Sequence, residues 1–209
     1  MTAERRIIPA IIVSGFREDL CLAYANTRCW RGSAAPVEQL GDLDALFAWL
    51  AGPGQLGSAS VEPLAARARR RPAEAAALFD EAIALREAIY RIFGALALGT
   101  GARDADLTLL NRALADAPAR RRLVRSDDGY GWRIDRPAVS APLLLAPVLW
   151  SAGDLLVRGE GAPIRQCANE KCLWLFVDAS KSGTRRWCDM ASCGNRAKAR
   201  RHYLRSKQA

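Results

Sequence analysis

Cys167-Ala-Asn-Glu-Lys-Cys172 is followed, after fifteen residues, by Cys188-Asp-Met-Ala-Ser-Cys193, and these two matched stretches decide the fold of the C-terminal quarter. Within each pair four residues separate the cysteines, so a tight loop can deliver two sulfurs to one side of an ion. Four thiolates from two such loops complete the tetrahedral shell of Zn²⁺. Two disulfides or ordinary buried thiols are the alternatives. Lys and Arg surround these cysteines rather than the apolar neighbours of a buried thiol, which favours one structural zinc ion.

The positive charge of the chain is concentrated in the same region. Residues 163–209 contain 11 Lys or Arg and 3 Asp or Glu, whereas the remaining 162 residues contain 20 and 19. Zinc bound by four thiolates contributes a charge of about −2, so this region stays strongly positive once the metal is bound. A nearly neutral body followed by a cationic end is typical of proteins that contact a polyanion.

Between and after the cysteine pairs, the pattern predicts a hairpin and a basic helix. Residues 173–177 have the composition of a strand, and the turn at 181–184 would return the chain as a second strand at 185–187. Gly194 is expected at a positive φ, and Asn195 is expected to cap a helix over about 196–205. The cations of this region are the candidate nucleic-acid contacts: Arg185, Arg186, Arg196, Lys198, Arg200, Arg201 and Arg205.

Residues 1–160 are predicted to form a mainly α domain with a small β-hairpin, organised around one long helix that begins at Pro63 or Pro72 and ends near Leu98. Its apolar positions alternate steps of four and three, which indicates a helix packed along its whole length. They are Leu78, Ala82, Leu85, Ile89, Ile92 and Leu96.

Shorter elements are predicted around this helix. We expect a strand over 7–13, a helix over 19–27, and helices capped by Asp42, Asp104 and Ser140. Two runs, 123–125 and 130–134, flank a turn and predict the hairpin. Residues 33–36 are interpreted as one loop, and the segment that follows Gly52-Pro53-Gly54 as far as Ser60 as a second loop. Residues 159–163 are interpreted as the linker to the C-terminal region, residues 161–209.

Asn26 and Thr27 fall at or near the end of the 19–27 helix. A polar pair there usually satisfies backbone groups at a helix terminus, but it could also line a ligand pocket. Both interpretations are kept as hypotheses.

The run Cys193-Gly-Asn-Arg196, with Trp187 before it and Cys167 and Cys172 upstream, resembles the CGNR zinc finger. The resemblance extends to other positions of the region, and Leu22-Ala-Tyr-Ala-Asn26-Thr27 is similar to the signature of an ABATE-type domain. It therefore covers the whole chain and implies a stress-induced transcription regulator that binds DNA. The additional matching positions are Phe176, Asp178, Ser180, Lys198 and Tyr203.

Other classes of function are less well supported. A zinc finger with a basic helix can also bind RNA or an acidic protein instead of reading DNA. The only histidine, His202, lies in the basic helix, and no nucleophile and base can be assembled around it, so we expect no enzyme. The longest uncharged run, 137–153, is too short and proline-broken to span a membrane, and we expect a cytoplasmic protein. A small-molecule effector and a homodimer are compatible with the sequence.

Overall fold

The computed structural model describes residues 10–15, 17–52, 54–126, 129–135, 139–158 and 163–207. A helical body is followed by a C-terminal region with a short hairpin and one basic helix, which confirms the predicted fold class. The helices are α1 (Leu20–Ala25), α2 (Leu43–Leu50), α3 (Ser58–Arg69), α4 (Pro72–Ala97), α5 (Asp104–Asp116), α6 (Ala141–Leu144), α7 (Ala146–Val157) and α8 (Asn195–Ser206). The strands are β1 (Ile11–Ser14), β2 (Arg28–Cys29), β3 (Val37–Glu38), β4 (Leu123–Ser126), β5 (Gly129–Ile134), β6 (Ile164–Gln166) and β7 (Leu175–Val177).

Helix α4 is the long central helix that the sequence predicts. It begins at Pro72, a residue suited to the first helical position because that position needs no intrahelical N–H donor. Its apolar face is buried from Leu78 to Ile92, but Leu96 is 42 % exposed and Phe93 is buried in its place. The prediction was wrong at Leu96 because 3.6 residues per turn carry the inward face away from a strict four-and-three spacing.

The segment before α4 is a separate helix rather than an extension of α4 back to Pro63. α3 begins at Ser58, two residues before the predicted loop ends, and accommodates Pro63 within its length. Arg70 and Arg71 separate it from α4. The predicted loop over 33–36 is correct, but it joins a ribbon of two short antiparallel strands, β2 and β3, that the sequence analysis missed.

A three-stranded antiparallel sheet with the order β1-β5-β4 lies on the helical body. The predicted hairpin is confirmed as β4 and β5, and its residues 127–128 lie outside the described part of the chain. β1 forms one edge of the sheet, in the register that pairs Ile11 with Ile134. The first residues of the predicted strand, 7–9, also lie outside the described residues.

Two of the three predicted helix caps are present. The carboxylate of Asp42 accepts a hydrogen bond from the Ala45 amide at 2.7 Å, and the Ser140 hydroxyl accepts one from Leu143. Asp104 instead lies inside the first turn of α5, where Arg103 is the capping residue. The predicted last helix of the body is divided into α6 and α7 at Leu145, directly before the Ala146-Pro147 start of α7.

One hydrophobic core joins the helices of the body. It is built around α4, with α1 packed between α4 and α7, and the Tyr24 hydroxyl donates a hydrogen bond to the Ala82 carbonyl. Leu175 of strand β7 belongs to this same core, so the C-terminal region is anchored to the body. Of the predicted linker only Pro163 lies within the described residues. Among the helices of the described residues, none has the length and apolar composition needed to cross a bilayer.

Candidate metal centre and nucleic-acid interface

The four predicted cysteine ligands come together in space. Their sulfur atoms all lie within 4.8 Å of one another, and the Sγ atoms of Cys172 and Cys188 are 3.7 Å apart. A tetrahedral ion with Zn–S bonds of about 2.3 Å places its sulfurs about 3.8 Å apart, so the donor set and its spacing fit zinc. None of the four forms a disulfide, and Cys188 is the only one of them that is half-exposed. These residues therefore hold one structural zinc ion.

The environment of the cluster favours the thiolate form of one of the four cysteines, Cys167. A hydrogen bond with the Cys172 thiol lowers the pKa of Cys167 to about 5, and the same bond raises the pKa of Cys172. The Asn169 side-chain amide also donates a hydrogen bond to the Cys193 sulfur. Such outer contacts orient a metal ligand and favour its thiolate form.

The first cysteine pair lies in the loop of a hairpin, which differs from the prediction. β7 does cover much of the predicted strand over 173–177, but its partner is β6 rather than residues 185–187. Cys167 and Cys172 therefore lie in the connection between the two strands. The loop closes with Leu173 at φ 58°, and the Cys167 amide bonds to the Trp174 carbonyl at 2.8 Å.

Of the second pair, Cys193 lies on a helical turn rather than in a glycine-hinged loop, and Cys188 directly precedes the residue that caps this turn. Met190–Gly194 form a π-helical turn that continues directly into α8, and Asp189 caps it by accepting a hydrogen bond from the Ser192 amide. Asn195 is not the predicted cap, since its side chain donates to the Ala191 carbonyl inside the helix. Gly194 has a helical φ of −64°, so the predicted positive φ was wrong.

Gly194 is instead closely surrounded by the flexible Met190 side chain and the Trp187 ring. A Cβ atom at this position would lie 2.7 Å from the Met190 sulfur and 3.5 Å from the Trp187 ring. Trp187 and Trp174 are half-buried and pack against the cysteine cluster, so both belong to the small core of the finger.

Asp178 connects the two halves of the finger. Its buried carboxylate accepts hydrogen bonds from Arg165 in β6, from the Ser180 hydroxyl and amide, and from the Arg185 amide. These donors, the Ser180 hydroxyl first among them, lower the pKa of Asp178 to about 2. Asp178 therefore ties the strand pair to the segment that carries Cys188.

Asn26 links the body to the finger. Its side-chain amide donates to the Leu175 carbonyl at 2.8 Å and its carbonyl accepts from the Leu175 amide at 3.0 Å. The neighbouring Thr27 hydroxyl donates to the Tyr24 carbonyl at 2.7 Å. Both residues are buried, and they also line a cavity of about 360 Å³ between the body and the finger.

Further contacts hold the finger on the body, and the sequence analysis missed all of them. Trp30, at φ 53°, packs against the cysteine cluster. Gly32 approaches the first zinc loop so closely that a Cβ atom there would lie 1.8 Å from the Glu170 carbonyl oxygen. The Tyr90 hydroxyl donates to the Leu173 carbonyl at 2.9 Å. The available signal was an aromatic residue and a glycine in a polar loop before β3, which is too common to identify a contact.

A network of charged side chains in the body lies next to Tyr90, one of these contact residues. The Arg86 side chain, 1 % exposed, binds Glu38 through both terminal nitrogens and also meets Glu87. Arg31 binds Glu87 at 2.7 Å and its guanidinium lies 3.8 Å from the centroid of the Tyr90 ring. The network therefore fixes the side chain whose hydroxyl supports the first zinc loop.

The seven predicted nucleic-acid residues fall into three groups. Arg185 is used internally, since its guanidinium donates to the carbonyls of Trp187 and Cys188 and stacks on Phe176. Lys198 and Arg205 are exposed on α8. The remaining four line one cleft of about 640 Å³ between the zinc loops and α8: Arg186, Arg196, Arg200 and Arg201.

Comparison with known families agrees with this division of the chain. The ABATE family, described as "Putative stress-induced transcription regulator", matches residues 18–159. The CGNR zinc finger family matches residues 164–206. A search of curated proteins found no significant match.

Proposed function

The chain belongs to the ABATE family and ends in a CGNR zinc finger, and we propose that it is a transcription regulator whose finger binds DNA. The zinc ion fixes the two cysteine loops and thereby the direction of α8. The basic helix and Arg186 meet the phosphate backbone, while the body responds to a ligand or to a partner subunit.

The observation that supports DNA binding is the state of the cations around α8. Within the described part of the chain, the side chains of Arg186, Arg200 and Arg201 have no carboxylate or hydrogen-bond partner. Charged side chains that make no internal ion pair can release the counterions of a nucleic acid when they contact its phosphates. The finger therefore offers a surface suited to a polyanion.

Gel shifts with a duplex of mixed sequence test this proposal. The zinc-loaded protein should bind in moderate salt, and a Cys188→Ser variant should bind much more weakly because α8 loses its orientation. With about five cations on phosphates, the logarithm of the binding constant should fall with the logarithm of salt concentration at a slope near −4.5. Negligible binding by both proteins would exclude DNA binding.

The same measurement with single-stranded RNA distinguishes the alternative of an RNA-binding module. Tighter binding to RNA than to duplex of equal length would favour that alternative. A protein complex that resists nuclease treatment would instead point to a protein-interaction module.

The cavity beside Asn26 and Thr27 supports a sensing role for the body. Its walls combine aromatic rings from both regions with Gln39 and Arg17, and Cys188 lies at its edge. A small molecule held there would contact the body and a zinc ligand at once. The aromatic lining residues are Trp49, Trp174 and Phe176.

The proposed role is non-catalytic and cytoplasmic. All six cysteines are free thiols, as expected in a reducing compartment. The four ligands complete the zinc shell, which leaves no open position for a substrate.

A further inference from the structure

The cations of α8 do not form one uniform surface. Arg196, Arg200 and Arg201 line the 640 Å³ cleft, and Lys198 and Arg205 do not. Successive residues of a helix are about 100° apart, which turns Lys198 and Arg205 by more than about 100° around α8 from the middle of the cleft-lining residues. The structure thus separates a cleft face from a rear face, although the sequence gives both the same composition.

The opposite wall of the cleft is also cationic. It is formed by the first zinc loop and by Arg186, and it adds Lys171 to the positive charges. The only carboxylate in the lining is Glu170. Positive groups therefore approach from two sides, and both walls are held in place by the zinc ligands within them.

The lining of the cleft is also partly apolar. Trp187, Ala197 and Leu204 contribute to it, and Leu204 is 48 % exposed although it is a large apolar side chain. One strand of a nucleic acid has the complementary character, since its phosphates carry the charge and the sugars between them present carbon atoms. Guanidinium groups on the two walls can bind phosphate oxygens in bidentate fashion.

From this arrangement we propose that the cleft holds the sugar–phosphate backbone of one DNA strand. The contacts would come from Arg186 and Lys171 on one wall and Arg200 and Arg201 on the other. Arg196 lies at the end of the cleft next to the body, where its guanidinium is 4.6 Å from the centroid of the Trp30 ring. The inference rests on the proposed DNA binding and specifies which face of α8 carries it.

Two double variants with equal loss of charge test this assignment. Arg186→Gln with Arg200→Gln removes two cations from the cleft, and Lys198→Gln with Arg205→Gln removes two from the rear face. All four side chains are exposed, and both doubles lower the net charge by the same amount. Long-range attraction is therefore matched, and a difference between the doubles reports direct contact with phosphate.

Binding to a 30-base-pair duplex of mixed sequence is measured over a series of salt concentrations with full-length, zinc-loaded protein. The cleft double should reduce the salt slope by about 1.8, since each lost phosphate contact removes about 0.9. The rear double should reduce the slope by less than half of that. Zinc content and circular dichroism show whether each variant keeps its fold.

The possible outcomes separate the two proposals. Equal losses in the two doubles, or a larger loss in the rear double, would overturn the cleft assignment and leave DNA binding intact. A wild-type protein that does not bind duplex would overturn both. Loss of RNA binding alone in the cleft double would show that the cleft holds RNA, which would also overturn the proposal.

Discussion

The body and the finger use arginine in opposite ways. In the body, many arginines are paired with acidic residues, among them Arg86 with Glu38, Arg31 with Glu87 and Arg91 with Asp106, although exposed arginines such as Arg67 and Arg112 form no ion pair among the described residues. Among the described residues of the finger, one ion pair follows this pattern, between Arg165 of β6 and Asp178 directly after β7. Along α8, within the residues that the structure describes, no arginine has a carboxylate partner.

Because of this difference, the paired arginines stabilise the fold, whereas the arginines of α8 remain available to bind a partner. A buried guanidinium without its partner is strongly destabilising, so Arg86 and Arg31, whose side chains are 1 % and 9 % exposed, are fixed by the fold. The finger has few apolar residues of its own, and its position depends on the metal and on contacts with the body. Three measurements test this difference between the body and the finger.

Removal of zinc should have the largest effect, and it should be confined to one part of the finger. Structural zinc contributes on the order of 10 kcal/mol of binding free energy, which the chain loses with the metal. A chelator should therefore abolish the hydrogen-exchange protection of residues 188–206. Strands β6 and β7 should keep their protection, because Leu175 belongs to the core of the body and Ile164 and Val177 pack against it.

Hydrogen exchange followed by mass spectrometry measures this directly, with the zinc-loaded protein as the reference. Uniform loss of protection across the body and the finger would contradict the separation. Unchanged protection of residues 188–206 would contradict the structural role of the metal.

A smaller effect is expected from Gly32→Ala, which places a methyl group against the first zinc loop. The added Cβ would lie 1.8 Å from the Glu170 carbonyl oxygen, so either Gly32 or the loop must move. Such overpacking typically costs about 1–3 kcal/mol, and we expect a lower free energy of unfolding together with weaker zinc retention. Competition with a chromogenic chelator measures the zinc retention.

Gly41→Ala is the matched control. Gly41 is an exposed glycine of the body, and a Cβ atom there would meet nothing within 4 Å. If both variants behave alike, the contact between the body and the first zinc loop contributes nothing to zinc retention.

The smallest effect is expected from Asp106→Asn, and it should depend on pH. Hydrogen bonds from Arg91, together with those from Arg103, lower the pKa of Asp106 to about 2. The folded state therefore binds the proton less readily than the unfolded state, whose carboxyl titrates near pH 4. The pair stabilises the body above about pH 4, and this stability is lost as the pH falls toward 2.

Thermal unfolding of both proteins between pH 2 and pH 6 tests this prediction. The variant should melt below the wild type at pH 6, and the two melting temperatures should converge toward pH 2. Zinc is released from both at low pH, so only their difference is compared. Asp135→Asn is the control, because that carboxylate is 51 % exposed in its pair with Arg133 and should matter less.

The sequence was sufficient for the features that depend on local periodicity or on a fixed spacing. The α4 helix, the β4–β5 hairpin and the four zinc ligands follow from repeated apolar positions, turn residues and matched cysteine gaps. In the finger, the predicted partner of the 173–177 strand was wrong, because strand composition does not identify the partner strand. β7 pairs with the strand that precedes the first zinc loop, Ile164–Gln166. This segment is too short and too polar to be recognised as a strand from the sequence.

Contacts between distant segments could not be predicted. Asn26 and Leu175 are 149 positions apart, and each is unremarkable in its own local sequence. The division of α8 into a cleft face and a rear face was also hidden, since it depends on where the first zinc loop lies and not on the helix itself. Both features depend on how distant segments are placed in the tertiary structure, which local sequence does not show.

The hydrogen bonds between Asn26 and Leu175 affect whether the finger can keep its orientation without the body. The asparagine amide takes the place of a neighbouring strand, so the hairpin of the finger receives part of its sheet from a helix terminus of the body. If residues 163–207 were fused to an unrelated protein, we expect that they would still bind zinc. They would lack the support of Asn26, and α8 would no longer have the same orientation. The two regions are therefore expected to depend on each other rather than to act as independent modules.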